Sequence, residues 1–96
     1  MVFKLFKSVD DKLFDIGFTK IQEDYYGVEY ERCNNTHKYT QLVSIVRKVS
    51  GRHILQSYDK YLIDSKNISG NVGVGLTGYE TKLLLKKMQK IGLYSK

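Results

Sequence analysis

From Phe18 onward the apolar residues recur with a period of two, and turn-forming residues interrupt that pattern at short intervals. Runs of this kind fold as antiparallel strands joined by tight turns. They read as Thr19 to Asp24, a turn at Tyr25-Tyr26-Gly27, Val28 to Cys33, a turn at Asn34-Asn35, and a long apolar strand from Tyr39 to Val49. Ser50-Gly51 then predicts a hairpin to a fourth strand, His53 to Asp59. Val28 and Tyr30 alternate with Glu29 and Glu31, so one face of the second strand meets a core and the other meets water. A two-residue hairpin loop would set Arg47 opposite Ile54, Ile45 opposite Gln56 and Val43 opposite Tyr58. Lys48, His53, Val46, Leu55 and Leu42 would lie on the other side. Neither side is cleanly apolar, and a register change of one residue exchanges the partners, so the core face of this hairpin stays open.

Helical patterns flank the strands. Ser8 followed by Asp10 and Asp11 is a cap with first-turn acids, Val9, Leu13 and Ile16 form an apolar stripe, and Gly17 supplies a stop. At the other end, Gly73-Val74-Gly75-Leu76-Thr77-Gly78 spells the G-x-G-x-x-G of dinucleotide sites. That motif needs a second parallel strand with an acidic residue about 20 positions on. No carboxylate follows Glu80, and the same residues serve as a helix entry with a Thr77/Glu80 capping box. The helix runs from Gly78 to Ile91 and stops at Gly92. Leu84, Met88 and Ile91 share one face with Leu85 and Thr81 beside them, while Lys82, Lys86 and Lys90 repeat along the opposite face. Between the fourth strand and this helix, Tyr61 to Val74 reads as a polar loop with room for a short strand around Tyr61 to Ile63.

Helix, four strands, helix predicts one α+β domain over residues 1–96, a four-stranded antiparallel meander with both helices on one sheet face. A chain of 96 residues supports one modest core. With 42% hydrophobic and 12% aromatic residues, including eight tyrosines, it is too apolar for a disordered chain. Two short helices cannot cover both sheet faces, so the exposed face or an unpaired edge is where a partner or a second copy would bind, leaving monomer and homodimer both open.

No apolar run approaches the roughly 20 residues of a membrane span. One cysteine, Cys33, cannot form an internal disulfide, and the opening stretch lacks the layout of a secretion signal, which together predict a cytoplasmic protein. Asn34-Asn35-Thr36 and Asn67-Ile68-Ser69 then mark turns and not glycans. Cys33, His37 and His53 lack the acid, amide or oxyanion signature of nucleophilic catalysis and the ligand spacing of zinc. No enzyme activity, metal or cofactor is expected.

The net charge of +6 is uneven. Residues 1–50 carry eight basic and seven acidic side chains, and residues 51–96 carry eight basic and three acidic. Arg47, Arg52, His53 and Lys60 fall near Tyr39, Tyr58 and Tyr61 around the central hairpin, the mixture of cations and rings that single-strand binders use. Lys82, Lys86 and Lys90 add a basic stripe, although lysines on an outer helix face are ordinarily a solvated surface. A small basic nucleic-acid-binding protein is the second reading of the chain.

Two nucleic-acid modules are approached without being matched. The element order and glycine-rich entry to a lysine-bearing helix resemble the double-stranded-RNA-binding domain, but Tyr79 and Glu80 stand where that family has a lysine pair. Gly75-Leu76-Thr77-Gly78 spells the KH-domain G-x-x-G with no basic residue inside it. A fuller likeness is carried by Gly17-Phe18, Lys20-Ile21, Glu23-Asp24, Tyr26-Gly27-Val28, Tyr30, Ser50-Gly51-Arg52-His53, Gln56-Ser57-Tyr58 and Gly75-Leu76-Thr77 with Glu80. Across most of its length the chain resembles a family of small uncharacterised proteins encoded by phages and prophages of Gram-positive bacteria. That resemblance implies a phage accessory protein in the cytoplasm of a bacterial host. Proteins of this setting often act by binding host proteins, including defence factors as anti-CRISPR proteins do, or by serving phage DNA metabolism.

Overall fold

The computed structural model describes residues 7–50, 53–63 and 71–92. They form α1 (Val9–Asp15), β1 (Thr19–Asp24), β2 (Gly27–Asn34), β3 (Tyr39–Val46), β4 (Ile54–Ile63), β5 (Asn71–Gly73) and α2 (Gly78–Lys90). All five strands make one antiparallel sheet in sequence order. The fifth strand is an addition to the four expected. It comes from the glycine-bearing stretch, whose composition carries little strand preference, while Tyr61 to Ile63 continues β4 instead of standing apart.

Local chemistry sets the helix ends. The Ser8 hydroxyl accepts from the Asp11 N–H at 3.0 Å, and the Asp11 carboxylate accepts from the Ser8 N–H at 3.3 Å. Thr77 and Glu80 do the same for α2, at 3.1 and 2.9 Å. Gly17, at φ +101°, ends α1: its N–H donates to the Phe14 carbonyl, and the Phe18 N–H donates back to the Leu13 carbonyl. This paired closure brings Phe18 and Leu13 together, and both are buried.

Both helices pack on one face of the sheet. Val9 and Leu13 of α1 and Leu83, Leu84 and Met88 of α2 close over Phe18, Val28, Tyr30, Val43 and Ile45. The apolar arc of α2 is turned from the expected one. Leu83 is buried while Leu85 is 38% exposed, because the arc also carries Glu80 and Lys87 inward to charged partners.

The β3–β4 register differs by one residue from the tight-hairpin expectation. Val43 faces Ser57, Ile45 faces Leu55 and Leu42 faces Tyr58. The strands stop at Val46 and Ile54, so residues 47–53 form the connection and Ser50-Gly51 lies within it. The one-residue shift places Leu55 on the core with Ile45 and sends Tyr58 to the open face.

Edge strand β1 is exposed at all six positions, and its pairing with β2 is broken by a bulge between Lys20 and Gln22. Such a bulge twists an edge away from flat pairing with another chain. No helix among the described residues is long and apolar enough to cross a membrane.

Candidate binding surfaces

Strand alternation sends Glu29, Glu31, Leu42, Ser44, Gln56 and Tyr58 to the face the helices leave uncovered. Leu42 is nonetheless only 7% exposed. It lies between Glu31 and Tyr58, and a Lys60 to Glu31 ion pair of 2.9 Å joins β4 to β2 across β3. This face is therefore mixed in character and carries its own acids.

At one end of the sheet the β1–β2 turn displays two tyrosines. Tyr25 and Tyr26 are 70% and 72% exposed, with their rings edge to face at 5.4 Å. The Arg47 guanidinium lies 4.3 Å from the centre of the Tyr25 ring, and its Nε donates to the Tyr25 carbonyl at 2.8 Å. The Arg47 backbone N–H donates to the Tyr26 carbonyl at 2.9 Å. Asp24 fastens the turn from within, accepting from the Tyr26 N–H and from Gln22 Nε2, both at 2.8 Å. Those donors, Gln22 foremost, hold the Asp24 carboxyl below its ordinary pKa. Next to the turn, Gln22, Asp24, Tyr26, Glu29, Gln56 and Tyr58 line an open depression of about 400 Å³ on the uncovered face.

Among the described residues the basic cluster expected around the hairpin does not assemble. Arg47 is committed to the tyrosine turn and Lys60 to Glu31, with its ammonium 5.4 Å from the Tyr61 ring centre. Tyr39, whose hydroxyl accepts from Asn34 Nδ2 at 3.4 Å, begins β3, and Arg47 follows its end. Eight extended residues separate the two by roughly 25 Å. Tyr58 lies between these ends on the open face. His53 accepts the Lys48 N–H on Nδ1 at 3.3 Å, and Arg52 lies outside the described residues. Lys82, Lys86 and Lys90 are exposed along α2 as expected and have no ion-pair partner among the described residues. Tyr25 and Tyr26 were hidden from sequence reasoning by their turn role; two adjacent tyrosines at a turn tip were the available sign.

Two charged networks tie the helices to the sheet, one of them along the exposed edge strand β1. Asp10 accepts from the Tyr30 hydroxyl at 2.5 Å and pairs with Lys20 and Lys87 at 3.1 and 3.2 Å. Glu23 pairs with the same two lysines at 3.1 and 2.8 Å. Arg32 donates to Glu80 at 2.8 Å, to the Ile16 carbonyl at 3.1 Å and to Gln41 at 2.9 Å, and Gln41 passes the chain to Ser57 at 2.7 Å. Among the described residues no buried side-chain polar atom lacks a partner. Full satisfaction of this kind makes the networks structural staples.

Their protonation follows from the contacts. Burial and the bond to Asp10 push the Tyr30 phenol far above its ordinary pKa. Burial alone would raise Asp10 and Glu80, but the donors facing them outweigh it and leave both below their ordinary values of 3.8 and 4.5. Glu23 is lowered chiefly by Lys87. A carboxyl depressed in the folded state stabilises fully above its ordinary pKa and loses that contribution as pH falls through the depressed value. The urea midpoint should therefore hold between about pH 8 and pH 5 and fall steeply below about pH 4. Glu23→Gln with Glu80→Gln should flatten that fall.

Cys33 Sγ lies 3.7 Å from Thr40 Oγ1, and the His37 backbone N–H donates to Asn34 Oδ1 at 2.9 Å. No group of three or more His, Cys, Asp and Glu side chains able to hold a metal comes together among the described residues. No protein-family model, curated protein or solved structure matches the chain.

Proposed function

We propose that this protein is a non-enzymatic phage or prophage accessory protein that acts by protein–protein contact, and that its partner is a host protein such as a defence factor. The observation that supports contact is the tyrosine end of the sheet. Tyr25 and Tyr26 stand exposed on a turn held by Arg47 and Asp24, and the depression beside them reaches Tyr58. Tyrosine and arginine dominate the energetic centres of protein interfaces. A turn already fixed by hydrogen bonds loses little conformational freedom when it binds. The phage setting and the defence role rest on the sequence resemblance.

The test is capture from lysate of a Gram-positive host by the tagged protein, with Tyr26→Ala and Tyr58→Ala as variants. Each should lose at least about tenfold in retained partner, the scale of one interface hot spot, with an unchanged circular dichroism spectrum. Equal capture by both variants would count against this surface.

With Arg47 and Lys60 engaged elsewhere and Arg52 outside the described residues, the observation that favours the nucleic-acid reading is the exposed stripe of Lys82, Lys86 and Lys90. Phosphate contact by these three would weaken steeply with salt. Anisotropy titration with labelled single-stranded and duplex DNA and RNA at low and physiological salt measures that slope directly.

A further inference from the structure

Lysine pairing divides the molecule. Lys7, Lys20, Lys60 and Lys87 each lie within 3.2 Å of a carboxylate. Lys82, Lys86 and Lys90 have no such neighbour among the described residues; nor do Lys12, Lys38 and Lys48, but these lie on three separate segments, whereas the α2 lysines share one helix face and residues 81–96 hold five lysines and no acid. Successive members of this exposed stripe are one helical turn apart, about 6 Å, so their like charges repel along the helix. An anionic surface laid along α2 would relieve that repulsion.

The stripe has apolar flanks. Tyr79 is 54% exposed and Leu85 38%. Beside Lys82 and Lys86, an open depression of about 560 Å³ is lined by Leu76, Thr81, Leu85 and Gln89. A phosphate backbone would satisfy the ammonium groups and leave the exposed Leu85, and the outer side of the half-buried Leu76, facing water. An acidic polypeptide satisfies both.

We propose that the outer face of α2 docks an acidic segment of a partner protein, with carboxylates facing Lys82, Lys86 and Lys90 and an aliphatic side chain seated between Leu76 and Leu85. This contact lies on the helix side of the sheet, opposite the depression next to Tyr26 and Tyr58. The two surfaces therefore stand or fall separately.

The probe is a synthetic fluorescent helix with glutamates flanking a leucine ridge, titrated against the full chain at low and physiological salt. Its controls are the same peptide with serine in place of leucine and a labelled DNA duplex. The leucine peptide should bind tightest of the three at physiological salt. Lys82→Gln/Lys86→Gln/Lys90→Gln should weaken it about tenfold or more, as expected when charges facing an acidic partner are removed. Glutamine keeps helix propensity close to that of lysine, so the fold is retained. Leu85→Ser should weaken the leucine peptide and leave the serine peptide unchanged, and Tyr58→Ala should alter neither. Absence of binding, equal affinity for both peptides, or undiminished binding by the triple variant overturns the proposal. Tighter binding of the duplex also overturns it and assigns the face to nucleic acid.

Discussion

Gly27→Ala is expected to cost about 3 kcal/mol or more of folding stability, the upper range for a residue forced into a backbone region it rarely adopts. Gly27 sits at φ +145° where the β1–β2 turn enters β2. A methyl group there would meet the Ile45 carbonyl oxygen at 1.9 Å and the Ile45 carbonyl carbon at 3.0 Å. Both are backbone atoms of the adjoining strand, so no rotamer change removes the clash, and β2 and β3 must part where Val28 and Ile45 meet in the core. Gly75→Ala is the matched control, since a methyl group at Gly75 meets no atom within 4 Å. Urea midpoints decide the matter. A Gly27→Ala midpoint equal to that of Gly75→Ala would show that the strands yield freely at Ile45.

Arg32→Ala should be the next most damaging change, at about 3 kcal/mol, the low end for breaking one side of a buried pair because Arg32 retains some exposure. Its guanidinium joins four parts of the fold: Glu80 of α2, the end of α1 at Ile16, Gln41 of β3 and the Phe18 ring, 4.2 Å away. Removal strands a Glu80 side chain that is only 9% exposed. Adding Glu80→Gln removes the stranded charge, so the double variant should be more stable than additivity predicts. Strict additivity would mean that Arg32 and Glu80 are not energetically coupled and that the loss comes from the bonds to Ile16 and Gln41 and the Phe18 contact. Gly17→Ala should also destabilise, chiefly because Gly17 holds φ +101°, with the added methyl group coming to 3.0 Å from the Arg32 Cδ.

Features written in neighbouring residues were legible. The Ser8 cap, the Thr77/Glu80 capping box, the bounds of β1 and the inward face of β2 depend on residues a few positions apart, although the reciprocal bond from Ser8 to Asp11 was not read. The β3–β4 register was not, because the strands end at Val46 and Ile54, and the Ser50-Gly51 signal says nothing about where pairing begins. Lys87 carried no local sign of burial. Its partners, Asp10 and Glu23, are brought to it by the packing of α1 and β1. The same limit applied to the candidate site. Arg47 and Lys60 looked available in sequence, yet folding gave each a private partner, Tyr25 and Glu31. Lys82, Lys86 and Lys90 kept their exposure because a simple helical period governs them.

The unbroken order of the sheet also bears on how the chain is made. Every strand pairs with the one synthesised just before it, so during translation no strand need wait for a distant partner, and pairing can spread along the nascent polypeptide. Closure comes late. Until residues 78–90 leave the ribosome, the inner face of Val28, Tyr30, Val43 and Ile45 lacks Leu83, Leu84 and Met88 as its cover. Asp10 and Glu23 likewise wait for Lys87. The arrival of α2 is thus the step that converts a sticky half-built sheet into a protein, and a stalled ribosome short of that helix would release a chain prone to aggregation.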